Sequence, residues 1–206
     1  MKKHLFRNCV LGFMFLLFAV NCIFAQNTTL TEVKAAGGIA TLYALDPLAR
    51  TLCFDDGREG GVFQQNETRN RCSHIDFNAY TEGSLTAGIQ GGENGTIIDL
   101  GSTAELQKRY GYTETVGGGQ GFASLRAANG KFFILRDRNP FIEQELAEST
   151  LLFAGGKSAV SAPIKLGHIY LVRITDRSDK SFERLVKMLV IAYTPNESVT
   201  IRWQLM

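Results

Sequence analysis

The chain has 206 residues, 22 Lys+Arg against 20 Asp+Glu, 45% hydrophobic and 20% charged residues. That composition is globular, and it excludes wholesale disorder, collagen and coiled coil. The near balance of charge gives no electrostatic footprint for nucleic acid.

Residues 1–25 read as a secretory leader. Lys2, Lys3 and Arg7 are followed by an uncharged apolar run from Val10 to Val20, then by Ala25 before the polar Gln26-Asn27-Thr28-Thr29. A basic start, a short apolar core and a small residue before a polar segment are the pattern of cleavage. The run falls short of the ~20 residues that span a bilayer. Lipid attachment at Cys22 is the competing reading, disfavoured by Asn21 where a small residue is wanted. Removing Lys2, Lys3 and Arg7 from the 22 basic residues, with no carboxylate lost, leaves 19 against 20 and a net charge of −1. Residues 26–206 are then expected to form a secreted or periplasmic β-rich domain with no further membrane-spanning segment, and any two lobes would meet near 155–166.

Cys9 and Cys22 leave with the leader, so Cys53 and Cys72 remain. Two cysteines in an exported chain are most simply one disulfide. Closing the 18-residue loop between them would stabilise by roughly 3 kcal/mol on the chain-entropy model. The alternative is a reactive thiol at Cys72, with His74 two residues on.

Glycine-punctuated short apolar runs then predict strands. Weaker strand signals lie at 39–45, 51–54, 61–64 and 71–77. Asn94-Gly95 predicts a hairpin between 84–90 and 96–100, and Asn129-Gly130 another between 121–128 and 131–136, because Asn-Gly supplies the positive φ of a two-residue turn. Ser102-x-x-Glu105 is a capping box, predicting a helix over 102–110 that stops at Gly111. Asn139-Pro140 followed by early glutamates predicts a second helix over 140–154. Residues 157–166 read as a surface linker. Three strands close the chain. His168–Thr175 is apolar, Leu185–Tyr193 is apolar on both parities and therefore covered on both faces, and Val199, Ile201, Trp203 and Leu205 alternate with polar residues. Short links make these an antiparallel meander. The fold class is α+β, mainly antiparallel sheet.

Chemistry-bearing residues are few. His74 and His168 are the only histidines after the leader, and no zinc spacing surrounds them; they are candidate ligands if one pocket holds both. Asp55, Asp56, Glu59 and Asp76 offer oxygens to a hard cation, although Asp-Gly runs more often serve as turns. Gly117–Gly121 lacks the Lys-Ser/Thr ending of a phosphate loop. No Gly-x-Ser-x-Gly, Ser-x-x-Lys or His-Glu-x-x-His occurs; a triad would have to be assembled from distant residues such as Ser124, His74 and Asp99. Trp203, Tyr170 and Tyr193 could form an aromatic surface, but the alternation favours packing.

The terminal stretches Gly167–Asp176, Leu185–Val190 and Val199–Trp203 resemble the closing strands of exported bacterial β-proteins of unassigned role. More distantly they resemble secreted haem carriers of the HmuY type. That resemblance spans about the last 40 residues and implies a β-rich fold and, in the haem carriers, histidine ligands to iron. The functional expectation is an exported, non-catalytic module that binds an envelope protein or glycan. A haem or metal carrier using His74 and His168, or an extracellular hydrolase, are the alternatives.

Overall fold

A computed structural model describes residues 36–59, 73–78, 80–89, 92–111, 122, 124–135, 143–154 and 159–206. The strand signals at 61–64 and 71–72 lie outside the described residues, as do the leader and the glycine run at 117–121.

The organising element is a five-stranded antiparallel sheet in the order β1-β12-β11-β10-β5. Its strands are β1 (Gly37–Tyr43), β5 (Glu93–Ser102), β10 (His168–Asp176), β11 (Glu183–Thr194) and β12 (Ser198–Leu205). The expected C-terminal meander is present: β10 pairs with β11 and β11 with β12, all antiparallel.

Both faces of this sheet are covered. Tyr170, Val172 and Ile174 of β10, with Val186, Met188 and Val190 of β11, enter one core. Their opposite-parity neighbours Ile169, Leu171 and Leu189 enter another. Side chains alternate across a strand, so a strand apolar on both parities demands two covers. β12 needs only one. Val199, Ile201 and Trp203 are buried, while Thr200, Arg202 and Gln204 are not.

The first cover is a four-stranded sheet, ordered β2-β3-β4-β9, from Thr51–Leu52, Ile75–Phe77, Ser84–Ala87 and Ser161–Pro163. The second combines helix α1 (Thr103–Tyr110) with a three-stranded meander β6-β7-β8 from Leu125–Ala128, Lys131–Leu135 and Glu143–Glu145. α1 is the helix expected from its capping box. Ser102 Oγ accepts the Glu105 N–H at 3.1 Å, the Glu105 carboxylate accepts the Ser102 N–H at 2.8 Å, and Gly111 ends the helix at φ 70°. Asn129 and Gly130, at φ 52° and 71°, turn β6 into β7 as predicted.

Three expectations are corrected. Asn94-Gly95 is not a turn: both residues lie inside β5, which pairs with β10 over its whole length, while β4 belongs to the other sheet. Glycine is needed there because a Cβ on Gly95 would lie 2.1 Å from the Ala87 carbonyl carbon, where the two sheets touch backbone to backbone.

The helix expected over 140–154 is, in its described part, strand β8 followed by a 3-10 turn at Ser149–Leu151. Glu143 and Glu145 share one strand face and meet Arg126 and Lys131 across the meander. Glu148 adopts a left-handed φ of 57°, and Ser149 Oγ accepts the Phe132 N–H at 2.6 Å. Cross-strand ion pairs and a side chain satisfying the backbone thus outcompete a helix whose glutamates suit either reading. Finally, the linker expected at 157–166 carries β9, which pairs with β4.

One charge interrupts the second core. Lys187 is 5% exposed on β11, and its ammonium donates to the Phe122 and Leu125 carbonyls at 2.6 and 2.8 Å. Burial, and secondarily Arg202, lowers its pKa to about 8.

The two-faced sheet makes a specific prediction. Leu171→Ala and Ile174→Ala, on opposite faces of β10, should each cost about 2–5 kcal/mol in denaturant unfolding. The exposed Ile39→Ala should stay within about 0.5 kcal/mol. A small effect at either buried position would mean that its face is not packed.

Candidate functional site

The β5–β10 ladder runs from His168 opposite Ser102 to Asp176 opposite Glu93. Each end carries a histidine and a carboxylate, in different environments.

At the first end the register slips beside Ile169 and Tyr170, so that Leu100 is bulged out of the pairing. Bulges re-aim side chains, and here the strand turns through Gly101 at φ 107°. Asp99 receives three donors: the Gly101 N–H at 2.9 Å, the Lys165 ammonium at 3.0 Å and His168 Nδ1 at 2.8 Å. An ionised carboxylate only accepts, so the proton of that last bond sits on His168 Nδ1 and Nε2 is left as the outer nitrogen. Burial works against ionisation of Asp99, but the bonds from His168, Lys165 and Gly101 outweigh it and hold the carboxyl below its ordinary value. Tyr170 stiffens the cluster from below. Its hydroxyl donates to the Pro163 carbonyl at 2.8 Å and accepts the Lys165 N–H at 3.0 Å. Burial and the nearby Asp99 charge push its pKa upward, so it remains protonated.

Asp99 and Lys165 also line a cleft of about 570 Å³ between the sheet, α1 and the 3-10 turn. Ile98, Leu106, Leu146 and Leu152 form its apolar surface; Arg109, Tyr110 and Glu148 are polar members of its wall. Tyr110 is buried, and its hydroxyl accepts the Ala147 N–H at 3.2 Å. A cleft of this size with an apolar floor and a few converging polar groups suits a small ligand.

At the second end His74 is fully buried. Its ring lies between Phe54 and Phe182, with centroids 5.7 and 6.2 Å away. Nδ1 accepts the Phe54 N–H at 2.9 Å, and Nε2 stands 3.7 Å from Glu93 Oε1. Glu93 is buried too, with Asp176 opposite it in register.

The two histidines are therefore not brought to one pocket. Eight strand steps separate His168 from Asp176, about 25 Å at the usual rise. One metal atom held by both rings would need their nitrogens within about 4 Å of each other. Ligation of one iron by His74 and His168 together is thereby corrected. So is the distant triad of Ser124, His74 and Asp99, because the histidine of Asp99 is His168.

The four carboxylates offered for a cation are engaged separately. Asp55 takes a forked pair of bonds from Arg184, at 2.5 and 3.1 Å. Asp56 pairs with Arg58 and accepts its N–H at 3.0 Å. Glu59 accepts the Thr41 N–H at 3.1 Å, and Asp76 pairs with Arg50 at 3.2 Å. Among the described residues no group of three or more His, Cys, Asp and Glu is arranged to hold a metal. Cys53 is fully buried; Cys72, its expected disulfide partner, lies outside the described residues. Trp203 and Tyr170 are core residues, and Tyr193 packs on the same core.

Sequence reasoning missed Lys165, Arg109 and the pairing of Asp99 with His168. The only local hint was a carboxylate followed by Gly101-Ser102 at a strand end, since 69 residues separate the two partners. No protein-family model, curated protein or solved structure matches the chain.

Because the folded Asp99 carboxyl lies below its ordinary 3.8, its contribution is complete above that pH and is lost as the pH falls through the lower folded value. Unfolding curves from pH 2 to 7 should show Asp99→Asn less stable than the parent by about 1 kcal/mol near neutrality. The gap should close toward pH 2. A gap independent of pH would show that the carboxylate charge is not what matters.

Proposed function

We propose that this protein is an exported, non-catalytic binding module, and that the cleft beside Asp99 and Lys165 takes its ligand, an envelope glycan or a segment of an envelope protein. The observation that carries the reading is an apolar-floored cleft of about 570 Å³ set next to a partly exposed charge cluster. Export rests on the leader pattern of residues 1–25. Among the described residues no helix is long and apolar enough to cross a membrane.

Two experiments test it. Mass spectrometry of the protein recovered from the exported fraction should give a chain beginning at Gln26 and two hydrogens lighter than its reduced form, the signature of a Cys53–Cys72 bridge. A chain retaining residues 1–25, or one carrying lipid on Cys22, would overturn the export route.

For the cleft, nitrogen-labelled protein titrated with glycan fragments and envelope-derived peptides should shift the amides of Leu106, Ala147 and Leu152. Ala147→Trp, an exposed position on the cleft wall, should fill the space and abolish those shifts while leaving the fold intact. Ligand-induced shifts confined to another surface would reject this site.

One observation favours a second reading. The Asp99–His168 bond engages Nδ1 and leaves Nε2 as the nitrogen not bonded to the carboxylate, a pairing that general-base catalysis uses. A hydrolase using this dyad would turn over a glycan or peptide substrate and lose that turnover in His168→Gln with binding retained.

A further inference from the structure

Four charged side chains line the cleft: Asp99, Arg109, Glu148 and Lys165. Their charges are not equivalent. The anion of Asp99 is already matched by Lys165 and His168, so the sheet-side wall carries more donors than acceptors. The Lys165 ammonium gives one bond to Asp99 and has three hydrogens to give. Arg109, exposed in the last turn of α1, makes no ion pair among the described residues and presents a planar fork of donors. The Tyr110 hydroxyl, accepting from Ala147, still has its own hydrogen to donate. Glu148, at the start of the 3-10 turn, is the other anion of the wall. Arg109, Tyr110 and Lys165 line the same cleft as Ile98, Leu106, Leu146 and Leu152, four members of one apolar cluster.

We infer that the cleft recognises a small amphipathic carboxylate, with the acid group bound by Arg109 and supported by Lys165, and an apolar chain of a few carbons lying on the leucine floor. This inference rests on the cleft being the ligand site. A planar guanidinium fork matches a carboxylate bidentately, and the apolar floor sets the rest of the ligand. Two sources share this chemistry: a free short-chain acid, and the C-terminus of a peptide that ends in an apolar residue.

The test uses octanoate and N-acetyl-alanyl-leucine, each beside an uncharged counterpart, octanamide and N-acetyl-alanyl-leucinamide. Labelled protein as exported is titrated with all four and observed by amide shifts. At least one acid should saturate the amides of Leu106, Ala147 and Leu152, and bind roughly tenfold or more tightly than its amide, the usual worth of a hydrogen bond to a charged group. Octanoate alone would assign a free acid; the dipeptide alone would assign a peptide C-terminus. Arg109→Gln, at an exposed position, should abolish the preference for acid over amide without altering the melting temperature.

Acids and amides binding the cleft equally, or a preference that survives Arg109→Gln, would overturn the carboxylate inference and leave the cleft as the ligand site. If the acids fail while a glycan fragment shifts the same amides, the inference is likewise overturned and the cleft survives. If neither the acids nor the glycans and peptides tested above shift those amides, both readings fall.

Discussion

Two adjacent strands that are apolar on both faces impose the rest of this structure. β10 and β11 carry Tyr170, Val172, Ile174, Val186, Met188 and Val190 toward one side and Ile169, Leu171 and Leu189 toward the other. Neither face can be left in water, since burying each such side chain is worth about 1.5–3 kcal/mol. One cover is a second sheet. The other is assembled from a helix, a small meander and a 3-10 turn. Three layers follow from the patterning of two strands.

The cleft is a consequence of how the second cover is made. A continuous sheet would have closed over the ladder. A short helix and the segment that follows the meander leave a gap between them over β5, lined by Leu106 of the one and Leu146 and Leu152 of the other. The β5 bulge then turns Asp99 toward that gap, the short segment before β10 brings Lys165 to it, and His168, the first residue of β10, bonds Asp99 beside it. Rigid elements thus hold a polar cluster whose members come from two stretches of chain far apart in sequence, which is the condition for a preorganised site.

The opposite end of the same ladder shows what happens when a histidine and carboxylates are sealed in. His74, Glu93 and Asp176 sit where both sheets converge, and the imidazole is locked by a backbone N–H and two aromatic rings. Chemically similar groups therefore serve different ends. At one end they are buried and structural, and at the other they are half-exposed beside a cleft. This difference in burial makes the Asp99 end the functional candidate.

The sequence alone determined much of the frame. The alternation of Val199, Ile201 and Trp203 gave a strand covered on one face. The double parity of 185–193 gave the central strand. Ser102, Glu105 and Gly111 gave the helix, and Asn129-Gly130 gave the turn, because caps, turns and strand faces are written in neighbouring residues. Where partners lie far along the chain, local reading failed. Gly95 looked like a turn and is a contact between sheets. Glu143 and Glu145 looked like a helix start and are cross-strand partners of Arg126 and Lys131. Only the tertiary structure paired Asp99 with His168, separated the two histidines, and opened a cleft between α1 and the 3-10 turn. Those outcomes depend on which strands become neighbours, and that is fixed by the burial of whole faces and left unmarked by the spacing of any few residues.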